Sequence, residues 1–335
     1  MSSYPRNRLS CAISGLLGLF AMPAMAQTYT VRTINRAPQF GDVAASRSGV
    51  TIFQNINGNV TVQSGGGQPI RGPVRQGLVT IRCQGSGTPN SCSVAGNHAR
   101  VIVGSLGATG RALPITRFIA NSGTGTILSG TTTGPALDFL LTGWSGSGNL
   151  NFTLDAVLPV LGDDQSVDNA GTAGFYIYAD KDPAFPSSGL SDVATIAVRR
   201  AIRLVKIRNL RFGAIVKNPG GAGQVTVDEN SDNSRAVGGT YPPTALPSPT
   251  FGRGLLSVAG EPGTNFNLSF SPANSLAMSN GTDILNVSLV KSASGNITLP
   301  LSGELEVGLG GTINIPKAKP TGDYEGAVLV SAVYN

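Results

Sequence analysis

The sequence predicts an all-β protein of two tandem β-sandwich domains. Three observations carry this: too many chain breakers for long helices, a succession of short apolar strands, and an internal repeat. Of 335 residues, 45 are Gly and 21 are Pro, while 40% are hydrophobic and 13% charged. Such punctuation suits short strands joined by turns, and the length gives two sandwich-sized units room for a core each.

The repeat sets the organisation. "TVRTINRAPQFGDV", from Thr30, resembles "LVKIRNLRFGAIV", from Leu204; each is an alternating strand ending in Phe-Gly, at Phe40-Gly41 and Phe212-Gly213. "RQGLVTIRC" from Arg75 echoes "GRGLLSVAG" from Gly252, and "TAGFYIYAD" from Thr172 echoes the terminal "YEGAVLVSAVYN". The order is the same in both halves, so two related β-domains are expected at residues 27–182 and 200–335, with a connector at 183–199. The second copy parses into "GQVTV", "GLLSVAG", "NFNLSFSP", "DILNVSLV", "GELEVGLGGTINIP" and the terminal strand, separated by Pro, Gly, Asn and Asp turns. The first copy is longer in its loops, where binding usually sits, although tolerated insertions look the same. In the connector, Pro183, Pro186 and Gly189 are turn-like, whereas Val193 to Val198 alternate as an edge strand would. That strand either joins the first domain's sheet or leads into the second domain.

The terminal "AVLVSAVY", Ala327 to Tyr334, is nearly all apolar or small, and reads as a strand buried on both faces. Left at a sheet edge, such a strand is a template for any other strand, so it needs a covering partner.

Residues 1–26 read as a signal peptide: Arg6 and Arg8, a short apolar core, and "AMA" before Gln27 as the cleavage site. No later stretch is apolar for long enough to cross a membrane as a helix. The expected localisation is periplasm in transit, then the cell surface or the exterior. In that oxidising route Cys83 and Cys92, flanking a Gly/Pro/Asn loop, are expected to form a disulfide. With His98 the single histidine, they make a poor zinc set.

The formal charge of +6 falls by two, to +4, when Arg6 and Arg8 are removed. The visible basic cluster, "VRRAIRLVKIRNLRFG", holds Arg199, Arg200, Arg203, Lys206, Arg208 and Arg211. It reads as a charged outer strand face rather than a polyanion-binding stripe, with Val205, Ile207 and Asn209 on the opposite side, and no aromatic interleaving supports nucleic acid.

Enzyme readings find no constellation. His98 has no nucleophile motif beside it, "GWSGSG" lacks a nucleophile elbow's strand-to-helix pattern, and the Gly-rich runs are not followed by helices. Asp163, Asp164 and Asp168, and Asp228, Glu229 and Asp232, are the acidic loops; neither has the spacing of a known calcium loop. No cofactor or metal is expected. The candidate ligand contacts are Trp144, which reads as either exposed near a turn or buried, and Tyr176 and Tyr178, whose neighbours Phe175 and Ile177 face the other way.

Taken together, "NLRFGAIV", "GLLSVAGEPGTNFNLSF" and "LEVGLGGTINIPKAKPTGDYEGAVLVSAVYN" resemble a bacterial secreted β-domain family of unknown function, related to spore coat protein U and chaperone–usher fimbrial subunits. The likeness is best over residues 204–335. It implies immunoglobulin-like (pilin-like) sandwiches, the last lacking its final strand, with the terminal strand bordering a groove that a periplasmic chaperone and then a neighbouring subunit fill. The corresponding partner-strand residues are Gly322, Val328, Val330, Ala332 and the penultimate Tyr334. Classical subunits carry a disulfide in the sandwich; the second copy has no cysteine. Almost no chain precedes the first strand of the mature protein, as in a fibre tip. The reading is a secreted, non-enzymatic fimbrial tip subunit or adhesin with a host or surface ligand. Its alternatives are a free secreted structural or matrix protein and, behind that, a carbohydrate-active enzyme.

Overall fold

The computed structural model describes residues 27–166 and 168–335; the expected signal peptide, 1–26, lies outside them. The described chain is all-β save for one 3-10 turn at Ser91–Ser93, and forms two tandem immunoglobulin-like sandwiches.

One sheet of the first sandwich runs β1 (Thr28–Arg36), β7 (Gly77–Gln84), β13 (Gly148–Leu161), β3 (Val50–Ile56) and β4 (Asn59–Ser64). On its flank β9 (Arg117–Ser122) pairs with β13 and with β11 (Thr133–Gly134). The facing sheet runs β10 (Thr126–Thr131), β12 (Ala136–Thr142), β8 (Ala99–Gly110), β14 (Ala170–Lys181), β15 (Gly189–Arg199), β2 (Gln39–Ala44) and β5 (Gln68–Pro69), with β6 (Val74–Arg75) also on β2. Alternation does the sorting: in β1, Tyr29 and Val31 enter the core while Thr28 and Thr30 face water. The β3–β4 turn is Asn57-Gly58 with both φ values positive, 53° and 72°, the backbone that matches strand twist in a two-residue hairpin.

The second sandwich repeats this plan. Its first sheet runs β16 (Arg203–Arg208), β21 (Gly254–Ala259), β26 (Glu304–Ile315), β18 (Gly223–Val227) and β19 (Arg235–Gly238), with β24 (Ile284–Lys291) on β26 and β23 (Ser275–Ser279) on β24. Its facing sheet comes in two separate pieces. One is β25 (Ile297–Thr298), β22 (Asn265–Ser271) and β27 (Leu329–Tyr334); the other is β17 (Ile215–Val216) with β20 (Thr244–Ala245).

The Phe-Gly pairs found in the sequence both lie close to where the chain passes from one sheet to the other. Phe40 and Phe212 are buried, and Gly41 and Gly213 have φ of +67° and +75°. Gly213 lies between β16 in one sheet and β17 in the other, whereas Gly41 lies within β2, at the irregularity in its pairing with β15. A Cβ at Gly213 would also sit 2.9 Å from the Pro249 carbonyl.

The connector segment resolves the alternative left open by the sequence. Its residues 189–199 are β15, which lies inside the first sandwich. The core of that sandwich therefore includes Ala194, Ile196 and Val198, beyond the limit of residue 182 read from the sequence.

Candidate functional site

The difference between the two sandwiches that bears on function is the edge where β15 stands in the first. β15 pairs antiparallel with β14, from Ala170↔Ala197 to Tyr178↔Gly189, and parallel with β2, from Thr195↔Gln39 to Arg199↔Ala44. It thereby closes the sheet. In the second sandwich the equivalents of β14 and β2 are β27 and β17, and among the described residues no strand joins them.

β27 is hydrogen-bonded along one side only, to β22, in the register Phe266↔Tyr334 to Ser271↔Leu329. The Asn335 amide donates to the Asn265 carbonyl. With a period of two, the amides of Val333 and Ser331 face β22 as well, and those of Val330, Ala332 and Tyr334 point to the unpaired edge. Such a row of unpaired donors and acceptors is what a strand from elsewhere can pair with.

Side chains follow the same division. Val328, Val330 and Ala332 turn toward the core but are only half-buried, as are Leu204, Leu210, Ile215 and Leu276, which pack on the same core. On the opposite face Leu329 is 67% exposed and Val333 47%. The expectation of a strand buried on both faces is therefore corrected, because no described residue covers the outer face of β27. Val328, Val330 and Ala332 lie together along β27 and the residue before it, on the side that faces the core. Gly322 does not; it is exposed beside Asn280, off the strand.

Tyr334 takes a different place from the one assigned to it. It is buried, accepts a hydrogen bond from the Glu261 amide at 2.7 Å, and donates to the Arg200 carbonyl at 2.9 Å. Burial raises its phenol pKa above the ordinary value. Rather than facing a partner, its hydroxyl ties the end of β27 to the link between the sandwiches. That link is held from both sides. The Ala201 amide donates to Asp163, Arg199 pairs with Asp42, and the Arg200 amide donates to Glu261. The far bank of the opening, Ile215 and Val216 on β17, escaped sequence reading, although the Phe212-Gly213 corner just before it was the available signal.

The remaining candidates lie elsewhere. Cys83 at the end of β7 and Cys92 in the 3-10 turn form a disulfide with Cα atoms 6.1 Å apart. Trp144 is 7% exposed, packs 5.0 Å from Tyr29 and donates through Nε1 to the Gly148 carbonyl. It is a core residue, which corrects its candidacy as a ligand contact. Tyr176 and Tyr178 stack at 4.7 Å on the outer face of β14, half-buried, while Phe175 and Ile177 fill the core. The basic cluster is not one face: a bulge between Lys206 and Arg208 breaks the alternation, and Ile207 is 49% exposed. Arg208 pairs with Asp232, which Arg253 also holds, and both guanidiniums keep that carboxyl below its usual pKa.

Comparison with known proteins finds one family model similar to the second sandwich. Residues 202–334 match a family described as Domain of unknown function (DUF4402). No curated protein matches. Among solved structures, the chaperone–tip adhesion subunit pre-assembly complex of the archaic chaperone-usher Csu pili of Acinetobacter baumannii is similar at 12% identity and TM-score 0.26, over 91% of this chain and 99% of that one. A chaperone–tip adhesin complex of CFA/I fimbriae is similar at 8% identity and TM-score 0.24, over 90% and 98%. A mutant of the CFA/I adhesin of enterotoxigenic E. coli is similar at 12% identity and TM-score 0.22, over 90% and 93%. Scores this low carry no weight for function, and the family that residues 202–334 match is one of unknown function.

Proposed function

We propose that the protein is a secreted, non-enzymatic surface protein whose second sandwich is completed by a strand from another polypeptide. The observation that carries this is β15, present in one sandwich and without a counterpart in the other. On this reading a periplasmic chaperone fills the edge during export and a neighbouring fimbrial subunit fills it afterwards. The first sandwich, closed by its own strand, has no edge of that kind to fill and sits outermost as the adhesive tip. An incoming strand in the place of β15 runs antiparallel to β27 and parallel to β17. It presents apolar residues at alternate positions, as Ala194, Ile196 and Val198 do in β15.

The test is purification of the full chain from the periplasm of cells that also make a fimbrial chaperone. Stable co-purification, lost in Val330→Asp, is the expected result. A stable monomer that captures no partner leaves the free secreted protein as the function.

A further inference from the structure

The basic cluster singled out in the sequence separates into paired and unpaired members around the joint between the sandwiches. Arg199 is matched to Asp42, and the buried Arg111 of the first sandwich to Asp163 at 2.6 Å. Arg200 and Arg203 make no ion pair among the described residues, and neither does Arg47. These three line one cavity of about 320 Å³, with walls from both sandwiches: Arg47 and Asp163 from the first, Arg203, Ser302 and Glu304 from the second, and Arg200 from the link between them.

Charge and lining define what fits. Both oxygens of Asp163 are occupied, one by Arg111 and one by the Ala201 amide, so Glu304 is the acid left to oppose three guanidiniums. Arg47, Arg200, Arg203 and Glu304 are exposed, so the site opens to solvent and its excess of positive charge attracts anions. Its apolar lining is limited to Ala201, Ala259 and glycines, which offers nothing to a lipid chain. Glu304 is suited to accept from hydroxyl groups, and guanidiniums bind carboxylate or sulfate through paired N–H donors. The volume is at the lower end of ligand pockets and accommodates a single sugar residue.

From these features we propose that the joint binds an acidic sugar residue, a uronate or sulfated hexose of a surface polysaccharide. The anion lies among Arg47, Arg200 and Arg203, and the hydroxyls face Glu304. This site is separate from the open edge and does not depend on it.

The test is calorimetric titration of the full chain with glucuronate oligosaccharides and, separately, with inorganic phosphate. Saturable glucuronate binding is expected, at least about tenfold weaker in R203S and in R47S, since each removes charge-assisted hydrogen bonds. E304Q should weaken glucuronate more than phosphate, and K317S, on an exposed lysine elsewhere, should change neither. Melting curves identify any arginine variant that unfolds, and its lysine-substituted form, R203K or R47K, then replaces it. The site assignment is overturned if the wild type shows no saturable glucuronate binding or if folded arginine variants bind as it does. Phosphate binding as tightly as glucuronate overturns the sugar assignment.

Discussion

The first and second sandwiches share the path of one sheet strand for strand, and in the facing sheet the strand β15 separates them. β1-β7-β13-β3-β4 corresponds to β16-β21-β26-β18-β19, but the facing sheet that is continuous in the first is split in the second. The consequence shows in burial. Ile177 on β14 is wholly buried, while Val330 on the equivalent β27 is half-buried and its neighbour Leu329 is 67% exposed. The same fold, with the same kind of strand at the same position, is finished in one case and left with an open sheet edge in the other. The difference teaches that the opening belongs to the design of the second unit and not to the family of sandwiches at large.

The comparison is broken most severely by equivalent charges in the two strands. Ile177→Asp buries an unpaired carboxylate in a closed core and should cost about 4–5 kcal/mol or unfold the first sandwich. Val330→Asp in the free chain should cost about 1 kcal/mol, because its side chain reaches water, yet should abolish capture of a strand. Denaturation curves of both variants, beside a binding assay, check the pair. Equal losses of stability would mean that the second sandwich is as closed as the first.

The disulfide gives the next largest effect and is confined to the first sandwich. Replacing both Cys83 and Cys92 with Ser should lower its stability by about 2–3 kcal/mol, as expected for a short closed loop. The cysteine-free second sandwich should melt unchanged, which scanning calorimetry can resolve.

How much of this was legible in the sequence depends on the range of the interactions involved. Phe40-Gly41 and Phe212-Gly213 betrayed the repeat because a backbone position with positive φ favours glycine locally. The inward alternation of Phe175 and Ile177, and the Cys83–Cys92 link, were equally local in origin. The fate of β15 was not legible: its parallel partner β2 lies at the far end of the domain in sequence, and a strand that alternates Ala194, Ile196 and Val198 inward fits either sandwich. The terminal strand misled for a related reason. Leu329 and Val333 look like core residues, but burial requires a covering layer, and the sequence does not show that layer to be missing. Trp144 is buried by Tyr29, a residue on β1, which no local pattern reveals.

Tyr334→Phe sharpens the comparison at the joint. Removing its hydroxyl leaves the Glu261 amide without that partner, at a cost of about 1–2 kcal/mol. The orientation of the two sandwiches should also loosen, which small-angle scattering of the full chain would detect as a broader distribution of shapes. An unchanged scattering profile would assign the orientation to the ion pairs at Arg199 and Asp163 alone.

The smallest effect is a difference in the response to acid. Asp155, buried in the first sandwich, has its pKa raised by desolvation, although the Asn57 amide and Asn121 donate to it. A group with a raised folded pKa contributes stability that is full below its unfolded pKa and lost as pH rises through the folded one. Asp232 in the second sandwich has its pKa lowered by Arg208 and Arg253, so its contribution is present above the unfolded pKa and lost as pH falls through the folded one. Acidification through the carboxylate range should therefore favour the first sandwich at Asp155 and weaken the second at Asp232. Denaturation at a series of pH values, with Asp155→Asn and Asp232→Asn as controls, should show the two dependences with opposite sign. The same sign in both would remove the distinction.

The central claim, an unpaired edge on β27, is tested most directly by residue-resolved amide hydrogen exchange on the isolated full chain. The amides of Val330, Ala332 and Tyr334 should exchange with little protection while those of Ser331 and Val333 are protected by β22. Along β14, between β8 and β15, both alternate sets should be protected. Equal protection of the two sets on β27 would show that its edge is already covered, and would contradict the account.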